Sequence, residues 1–330
     1  MNPFRKIIAP RLPQAAVGLS GEAASVVQLE RRGGGLAVRS AGLLPLPAGL
    51  VRPGFDDQNV SDAGELAGAL SELLTSAGLA RRKRWSVGLP EAATRTSILT
   101  METAPASRAE AEEMLRWKTE RAIGAPLDEL RVSRERLRTD AQGRSRYLVS
   151  AVRLSVLSEY EEVFAALGWQ AGLVLPRHMG EAWWLMRGGA GAESGDSLLV
   201  SSHAEGFTAV IMRAGAPLYV RGVVCETEDR ADELYRFLLF YRDRTSPSHA
   251  HEGGEEEDAA PAPYRGAGIG RMLVAGTGID ESQARAIVEE TLSAPPRAVG
   301  PADLRLAFPT QEIDFRQIAA PAGLAALAWA

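Results

Sequence analysis

Short apolar runs separated by glycines fill the first part of the chain. Two of these runs, within residues 17–30, flank the polar turn 20–22, and the glycines at 33–35 precede a third run. Runs of this length, punctuated by glycine turns, predict an antiparallel β-meander. The same pattern returns at residues 197–222, where the first turn is predicted at 201–206. Two such units indicate a duplicated architecture.

Between the two meanders, the apolar residues follow the period of helices. Capping boxes at residues 62–65 and 107–110 each precede a helical pattern of apolar positions. Four strands and a further helix accompany the second of these helices, and they are predicted at residues 85–90, 94–101, 130–137, 147–152 and 155–167. This repeated β-β-α pattern predicts an interposed αβ subdomain over residues 85–170.

A glycine-rich turn follows the last strongly apolar strand of the chain. The strand at residues 272–275 runs into Gly276, Thr277 and Gly278, and a helix is predicted over 280–292. Such a turn can present the N–H groups of a helix to an anion or a nucleotide. Tight strand-to-helix turns need glycine in any case, so the turn alone is weak evidence for a nucleotide site.

These patterns divide the chain into a first lobe, an interposed subdomain and a second lobe. Residues 1–84 are predicted to form the first lobe, 85–170 the subdomain, 171–190 a return to the first lobe, and 191–330 the second lobe. Within the last part, residues 245–268 are rich in Pro, Gly, Ala and Glu and predict a flexible acidic loop. An Ala-rich helix near the C-terminus is predicted to pack on the first lobe.

Composition narrows the functional classes. The chain has 330 residues, of which 45% are hydrophobic and 24% are charged, and this length suffices for more than one core. A formal net charge of -5 disfavours a nucleic-acid binder, which would show a basic face.

The single cysteine, Cys225, excludes an internal disulfide and is predicted to be a small buried residue. No metal site is predicted. No run approaches the roughly 20 apolar residues that a membrane span needs, so a cytoplasmic protein is expected.

The first glycine turn carries unusual side chains for a phosphate site. Such a turn holds a phosphate when free N–H groups, a cation and a Mg²⁺ ligand stand together. The polar residues here are Ser20, Glu22 and Ser25, and neither Lys nor Asp is present. The turn therefore has the shape of a phosphate loop without its chemistry.

The arrangement of two meanders, an interposed subdomain and a late glycine turn resembles the actin-like ATPase superfamily. Within it, the chain resembles the PilM family of the type IV pilus inner-membrane platform and, more distantly, FtsA. The resemblance is carried by residues 17–30, 85–101, 109–126, 147–174, 197–222 and 272–292. It implies an α/β, actin-like (ribonuclease H-like) two-lobe fold with the interposed αβ subdomain. Because one helix and an acidic loop stand between Gly222 and Met272, a reduced second-lobe subdomain is also implied.

The resemblance implies a first phosphate loop that has lost its functional groups. The family pattern is Asp-Ile-Gly with a Lys five residues after the Gly. Aligned on the strand that follows, this chain has Gly18 for the Asp, Ser20 for the Gly and Ser25 for the Lys. Glu22, inside the loop, would repel a γ-phosphate.

The second implied phosphate loop has diverged independently. The family has Asp-x-Gly where this chain has Ser201, Ser202 and His203. On the adenosine side only Gly276 and Gly278 remain. The resemblance therefore implies a pseudo-ATPase without a cofactor, and ATP with Mg²⁺ is the alternative cofactor.

The family resemblance also implies a scaffold function. In the family, the short cytoplasmic tail of the membrane protein PilN lies in a groove between the first lobe and the interposed subdomain. Candidate groove residues here are Leu99, Met114 and Trp117, although apolar residues at helical spacing are more often core. The implied protein lies at the inner membrane through its partner, contacts other pilus platform proteins and binds no nucleic acid.

Three alternatives remain open at the level of the sequence. The first is an active ATP-binding ATPase or kinase of the same superfamily, which would need the missing Asp and Lys. The second is the cytoplasmic platform component of type II secretion, which normally continues into a transmembrane helix. The third is an unrelated interaction module.

Overall fold

The computed structural model of the chain describes residues 12–103, 105–140, 142–187, 195–245, 268–308 and 313–330. Most of the predicted acidic loop, residues 246–267, lies outside the described residues. The strands, in chain order, are β1 Ala15–Leu19, β2 Ala23–Arg32, β3 Gly35–Pro45, β4 Arg84–Leu89, β5 Arg95–Thr100, β6 Leu130–Arg136, β7 Arg146–Arg153, β8 Gln170–Pro176, β9 Asp196–His203, β10 Gly206–Arg213, β11 Ala216–Val224, β12 Ile269–Gly276, β13 Arg297–Ala298 and β14 Leu306–Ala307.

Seven α-helices connect and cover these strands within the described residues. They are α1 Ala63–Ser76, α2 Arg108–Ile123, α3 Leu154–Ala166, α4 Arg177–Arg187, α5 Arg230–Thr245, α6 Glu281–Leu292 and α7 Phe315–Ala326. The predicted caps are present, because Asp62 accepts a hydrogen bond from the Glu65 N–H at 2.9 Å and Ser107 accepts one from the Glu110 N–H at 3.1 Å. Capping of this kind satisfies N–H groups that have no partner within the helix.

The first lobe is built on a sheet with the strand order β14-β3-β2-β1-β4-β8. β1 is antiparallel to β2 and parallel to β4, so a meander leads into parallel strands. The face of this sheet that carries Val17 and Leu19 packs against α1 and α3, and the leucine stripe of α1 fills the layer between them.

The interposed subdomain consists of the sheet β5-β7-β6 and helix α2. The boundaries drawn from sequence, 85 and 170, also enclose β4 and α3. The structure places both elements in the first lobe. β4 pairs with β1 and β8, and Tyr160 and Phe164 of α3 join the first-lobe core. The burial of every residue of β4 after Arg84 has a physical reason, since a parallel strand inside a sheet is covered on both faces.

The second lobe repeats the topology of the first. Its sheet has the order β11-β10-β9-β12-β13, with β9, β10 and β11 antiparallel and β12 parallel to β9. The predicted two-lobe α/β architecture with a duplicated meander is thereby confirmed. The turn predicted at 201–206 is wrong in length, because Ser201, Ser202 and His203 pair with β10 as part of β9. Only Ala204 and Glu205 form the turn.

Helix α7 lies between the two lobes. It contacts β1 and β2 of the first lobe and β12 of the second, and it crosses α4 closely. The indole N–H of Trp184 in α4 donates to the Ala319 carbonyl at 2.9 Å. The Ala-rich composition of α7 follows from this position, since small side chains allow close approach on several faces.

Candidate functional site

The first meander turn uses its polar groups to hold its own shape. Ser20 donates from its hydroxyl to the Ala23 carbonyl at 2.9 Å and accepts from the Ala23 N–H at 3.0 Å. Ser25 is buried on β2, and its hydroxyl lies 3.4 Å from the Gly18 carbonyl. A Cβ at Gly18 would lie 3.0 Å from Pro321 of α7, so this helix covers the strand directly.

The end of β9 and the second meander turn are likewise occupied by internal contacts. Ser201, Ser202 and His203 are all buried. The Ser202 hydroxyl accepts from the Ile279 N–H at 3.2 Å, and Nδ1 of His203 lies 3.0 Å from the Glu205 carboxylate. The hydroxyl of Ser202 therefore satisfies an N–H of the βα turn just before α6, where a nucleotide-binding turn would have an N–H free for its ligand.

The glycines of the late turn are required by packing. Gly276 has φ +78, and a Cβ there would lie 1.9 Å from the Ser202 carbonyl oxygen. Gly278 has φ +112, and a Cβ there would lie 1.7 Å from Nη1 of Arg230. The left-handed conformation and the lack of space each favour glycine. Their presence thus has a structural cause that is independent of any nucleotide.

Arg230, at the start of α5, was not identified from the sequence. It is buried, and its Nη2 donates to the Ala204 carbonyl in the second meander turn at 2.6 Å. Its guanidinium therefore joins the meander turn to the turn at Gly278. No local pattern marks such a residue, because an arginine at a helix start is ordinarily solvated.

The structure brings most of the predicted phosphate-site residues to one small cavity. The cavity has a volume of about 50 Å³ and is lined by Ser20, Glu22, Ser25, Ser202, His203 and Gly276 together with Arg177, Thr277 and Gln317. Across it, the Thr277 hydroxyl donates to Glu22 at 3.1 Å and so joins the lobes. Sites for small ligands usually have about 300–1,000 Å³. As it stands, the cavity is far too small for a triphosphate.

The cation at this cavity already has a carboxylate partner. Arg177 is buried, and its Nη2 lies 3.7 Å from Oε1 of the fully buried Glu181. Glu22 adds a further negative charge at the wall. An incoming phosphate would have to compete with both carboxylates.

A buried hydrogen-bonded cluster joins the lobes beside this cavity. The Glu91 carboxylate accepts from the His178 N–H at 2.6 Å, from Nδ1 of His178 at 2.7 Å and from the Thr208 hydroxyl at 3.0 Å. Glu91 and His178 belong to the first lobe and Thr208 to β10. Burial alone raises the pKa of Glu91, but the His178 imidazolium and its hydrogen bonds lower it from 4.5 to about 2. Burial by itself would lower the pKa of His178. The charge of Glu91 and its hydrogen bond have the larger combined effect, and the pKa is raised above 6.5.

A second cavity lies between the first lobe and the interposed subdomain, and we call it the subdomain groove. Its volume is about 310 Å³. Its apolar lining comes from Leu89, Val132, Ala151, Val152, Leu157, Val174, Leu175 and Pro176, and its polar lining from Thr94, Arg131, Ser133, Ser150 and Glu161. The groove thus has an apolar interior and few charges.

The predicted groove residues lie elsewhere on the subdomain. Leu99 is buried on β5, Met114 is half-buried on α2, and Trp117 of α2 is 57% exposed. The Arg121 guanidinium lies 5.4 Å from the Trp117 ring centroid. None of the three lines the subdomain groove, whose walls come from β4, β6, β7, β8 and α3. A role of Leu99, Met114 and Trp117 in binding a partner stays a prediction.

Comparison with solved structures shows the fold. No protein-family model and no curated protein matches the sequence. A structure of the PilM–PilN type IV pilus biogenesis complex matches with a TM-score of 0.73 at 20% identity, covering 97% of this chain and 99% of that one.

Two further matches are more distant. A Bacteroides thetaiotaomicron protein with an actin-like ATPase fold matches with a TM-score of 0.49, at 11% identity and 98% coverage of each chain. The cytoplasmic domain of EpsL, an inner-membrane component of the Vibrio cholerae type II secretion system, matches with 0.43, at 13% identity, covering 86% of this chain and 96% of that one. Neither reaches 0.5, so the fold rests on the first match and on the duplicated topology. The chain has the actin-like fold seen in the PilM–PilN complex.

Proposed function

We propose that this chain is a scaffold of a type IV pilus or related inner-membrane assembly platform. It binds the short cytoplasmic tail of a PilN-like membrane protein and has no nucleotide hydrolysis. The single observation that carries the proposal is the subdomain groove, an apolar channel of about 310 Å³ between the first lobe and the interposed subdomain. The matching structure is a complex of PilM with PilN, which supports a partner of that class.

The backbone at the groove suits an extended peptide. β6 lies at one edge of its sheet and β8 at one edge of the first-lobe sheet. The Leu137 N–H donates to the Arg146 carbonyl at 2.9 Å, which fixes the register of β6 and β7. Alternate residues of an antiparallel strand turn their N–H and C=O groups away from the partner. Val132 and Arg134 are such residues, so their backbone groups are available to an added strand.

The proposed location is the cytoplasmic face of the inner membrane, reached through the partner. No helix within the described ranges is long and apolar enough to cross a bilayer. Attachment through a bound tail would supply membrane association without a span in these ranges. Contacts with other platform proteins belong to the same proposal.

The tail interaction is tested with a labelled synthetic peptide. The probe is the cytoplasmic tail of a PilN-like single-span protein from the same organism, and binding is followed by fluorescence anisotropy. Val174→Asp places a charge in the apolar groove, and we expect affinity to fall about 30-fold or more, the size of a binding hot spot. Ala171→Asp, at an exposed position of the same strand outside the groove lining, is the matched control.

Two outcomes would count against the proposal. One is no binding of the tail at tens of micromolar to the unchanged protein. The other is equal affinity of the Val174→Asp and Ala171→Asp variants, which would place the peptide outside the groove.

The absence of nucleotide chemistry is tested by thermal unfolding with Mg-ATP. A ligand present at 100 times its Kd stabilises the folded state by about 2.7 kcal/mol. We expect no rise in Tm at millimolar Mg-ATP, because the cavity of about 50 Å³ cannot hold a triphosphate and Glu22 faces it. Mg-ADP and Mg²⁺ alone serve as controls. A clear rise with Mg-ATP would favour an ATP-binding protein.

A further inference from the structure

Two sheet edges face each other where the interposed subdomain meets the second lobe. β5 is an edge strand of the subdomain sheet, β11 is an edge strand of the second-lobe sheet, and the two strands are in contact. Edge strands carry unpaired N–H and C=O groups that invite an additional strand. At one end of the contact the gap is bridged, because Nη2 of Arg146 donates to the Leu218 carbonyl at 2.8 Å.

At the other end, residues of both strands line a cavity of about 480 Å³, which we call the edge cavity. Its walls include Thr94, Arg95, Thr96 and Ser97 on one side and Val220, Gly222, Val223 and Val224 on the other. It shares only Thr94 with the subdomain groove, whose other lining residues come from β4, β6, β7, β8 and α3.

The registers show which backbone groups point away from their own sheets. The Met101 N–H donates to the Ser145 carbonyl at 2.9 Å, and the Cys225 N–H donates to the Glu205 carbonyl at 3.1 Å. Counting alternate residues from these bonds, Thr96 turns its N–H and C=O away from β7. Gly222 and Val224 turn theirs away from β10 in the same way. All three residues line the edge cavity.

A buried donor also lines the edge cavity. His178 is 2% exposed, and its Nδ1 lies 2.7 Å from Glu91. Its Nε2 is buried and has no hydrogen-bond partner among the described residues. The Glu91 carboxylate raises the pKa of this imidazole above 6.5, and in the protonated imidazole Nε2 is a donor as well as Nδ1.

The edge cavity continues at Glu205, Val223 and Val224 into an acidic depression. Its remaining charged lining consists of Glu226, Asp229, Asp232, Glu233 and Arg236. The one cation of this lining, Arg236, pairs with Glu233 at 2.5 Å. Val224 stands at the junction and is 80% exposed. A segment leaving the cavity here meets an excess of negative charge.

We propose that the edge cavity binds an extended segment of a partner protein as an added β-strand, with Lys or Arg residues flanking that segment. The strand pairs with the free edge of β11 at Gly222 and Val224 and with Thr96 of β5. The basic flank lies on the acidic depression. This is a second peptide site, independent of the tail in the subdomain groove.

The test uses the full chain and a defined probe. The probe is a fluorescein-labelled peptide of five alternating Thr and Val residues followed by four Lys, and its matched control has four Glu in place of the Lys. We expect binding of the Lys peptide that weakens with salt, and affinity for the Glu peptide at least tenfold lower.

Two variants locate the site. Val224→Pro removes an outward N–H while leaving the Cys225-to-Glu205 bond in place, and we expect affinity for the Lys peptide to fall about fivefold to tenfold. Val224→Thr keeps the N–H and is expected to bind like the unchanged protein. The double change Asp229→Asn and Asp232→Asn should weaken binding and flatten its salt dependence. Unchanged thermal unfolding verifies that each variant folds.

Hydrogen exchange gives a reading that does not depend on substitutions. Bound Lys peptide should slow exchange of the Thr96, Gly222 and Val224 amides and leave those of Val132 and Arg134 unchanged. The proposal is overturned if the Lys and Glu peptides bind alike or not at all up to 1 mM, which is roughly the weakest affinity such a module would show. It is also overturned if Val224→Pro has no effect or if Val174→Asp, in the subdomain groove, abolishes binding of this probe.

Discussion

Replacing Gly323 by alanine is expected to lower the free energy of unfolding by about 3 kcal/mol, the upper end of the usual cost of overpacking. Gly323 lies in α7 where this helix crosses α4. A Cβ there would lie 1.7 Å from the carbonyl oxygen of Gly180, and a Cβ at Gly180 would lie 2.2 Å from the Ala320 oxygen. The atoms that would clash with the new Cβ belong to the backbone on both sides. The clash can be removed only if the two helices move apart and open the core between the lobes.

Helix propensity by itself predicts that Gly323→Ala raises the free energy of unfolding. The sign of the measured change therefore distinguishes the two effects. Replacing an exposed glycine inside a helix by alanine stabilises the folded protein by about 0.5–1 kcal/mol. Gly68, an exposed position of α1 with no atom within 4 Å of a new Cβ, provides that control. Denaturant unfolding should therefore show Gly68→Ala stabilised and Gly323→Ala destabilised. Stabilisation of both variants would contradict the close crossing of α4 and α7.

Changing Glu91 to glutamine is expected to cost about 3 kcal/mol at pH 5.5, near the lower end for breaking a buried ion pair. The variant leaves His178 without its carboxylate and weakens the hydrogen bond from Thr208. The cost stays at the lower end because His178 can lose its proton. Glu112→Gln, in an exposed pair with Arg134 at 3.4 Å, should change stability by less than about 1 kcal/mol.

The cost of Glu91→Gln should depend on pH in a defined direction. The pKa of Glu91 is lowered from 4.5 to about 2, so its contribution is full above pH 4.5 and is lost as pH falls toward 2. The pKa of His178 is raised above 6.5, so its contribution is full below pH 6.5 and is lost as pH rises through the raised value. The difference between unchanged protein and variant should therefore be largest between about pH 4.5 and 6.5.

Urea unfolding of both proteins across this pH range measures that difference. Thr208→Val, which removes one hydrogen bond to Glu91, should cost about 1 kcal/mol and leave the shape of the pH profile unchanged. If the difference in the free energy of unfolding between unchanged protein and Glu91→Gln does not vary from pH 3 to pH 9, the ion-pair interpretation is wrong.

The sequence by itself determined the local parts of this protein. Alternation of apolar positions and glycine turns predicted both meanders, and the capping residues Asp62 and Ser107 marked two helix starts. The duplicated pattern predicted a duplicated architecture, and its resemblance to the actin-like superfamily implied the two-lobe plan. These features depend on neighbouring residues, because strand alternation, turn conformation and helix capping are all set within a few positions.

Contacts between distant residues were decided only by the tertiary structure. Glu91 meets His178 from 87 positions away and Thr208 from 117 positions away, and no periodicity signals either pair. The tertiary structure alone also revealed three further features. These are the position of Arg230 at Gly278, the crossing of α7 and α4, and the walls of the subdomain groove. The sequence predicted Leu99, Met114 and Trp117 as residues of a partner groove, and none of the three lines the subdomain groove. An apolar residue reveals its preference for burial and not what it packs against.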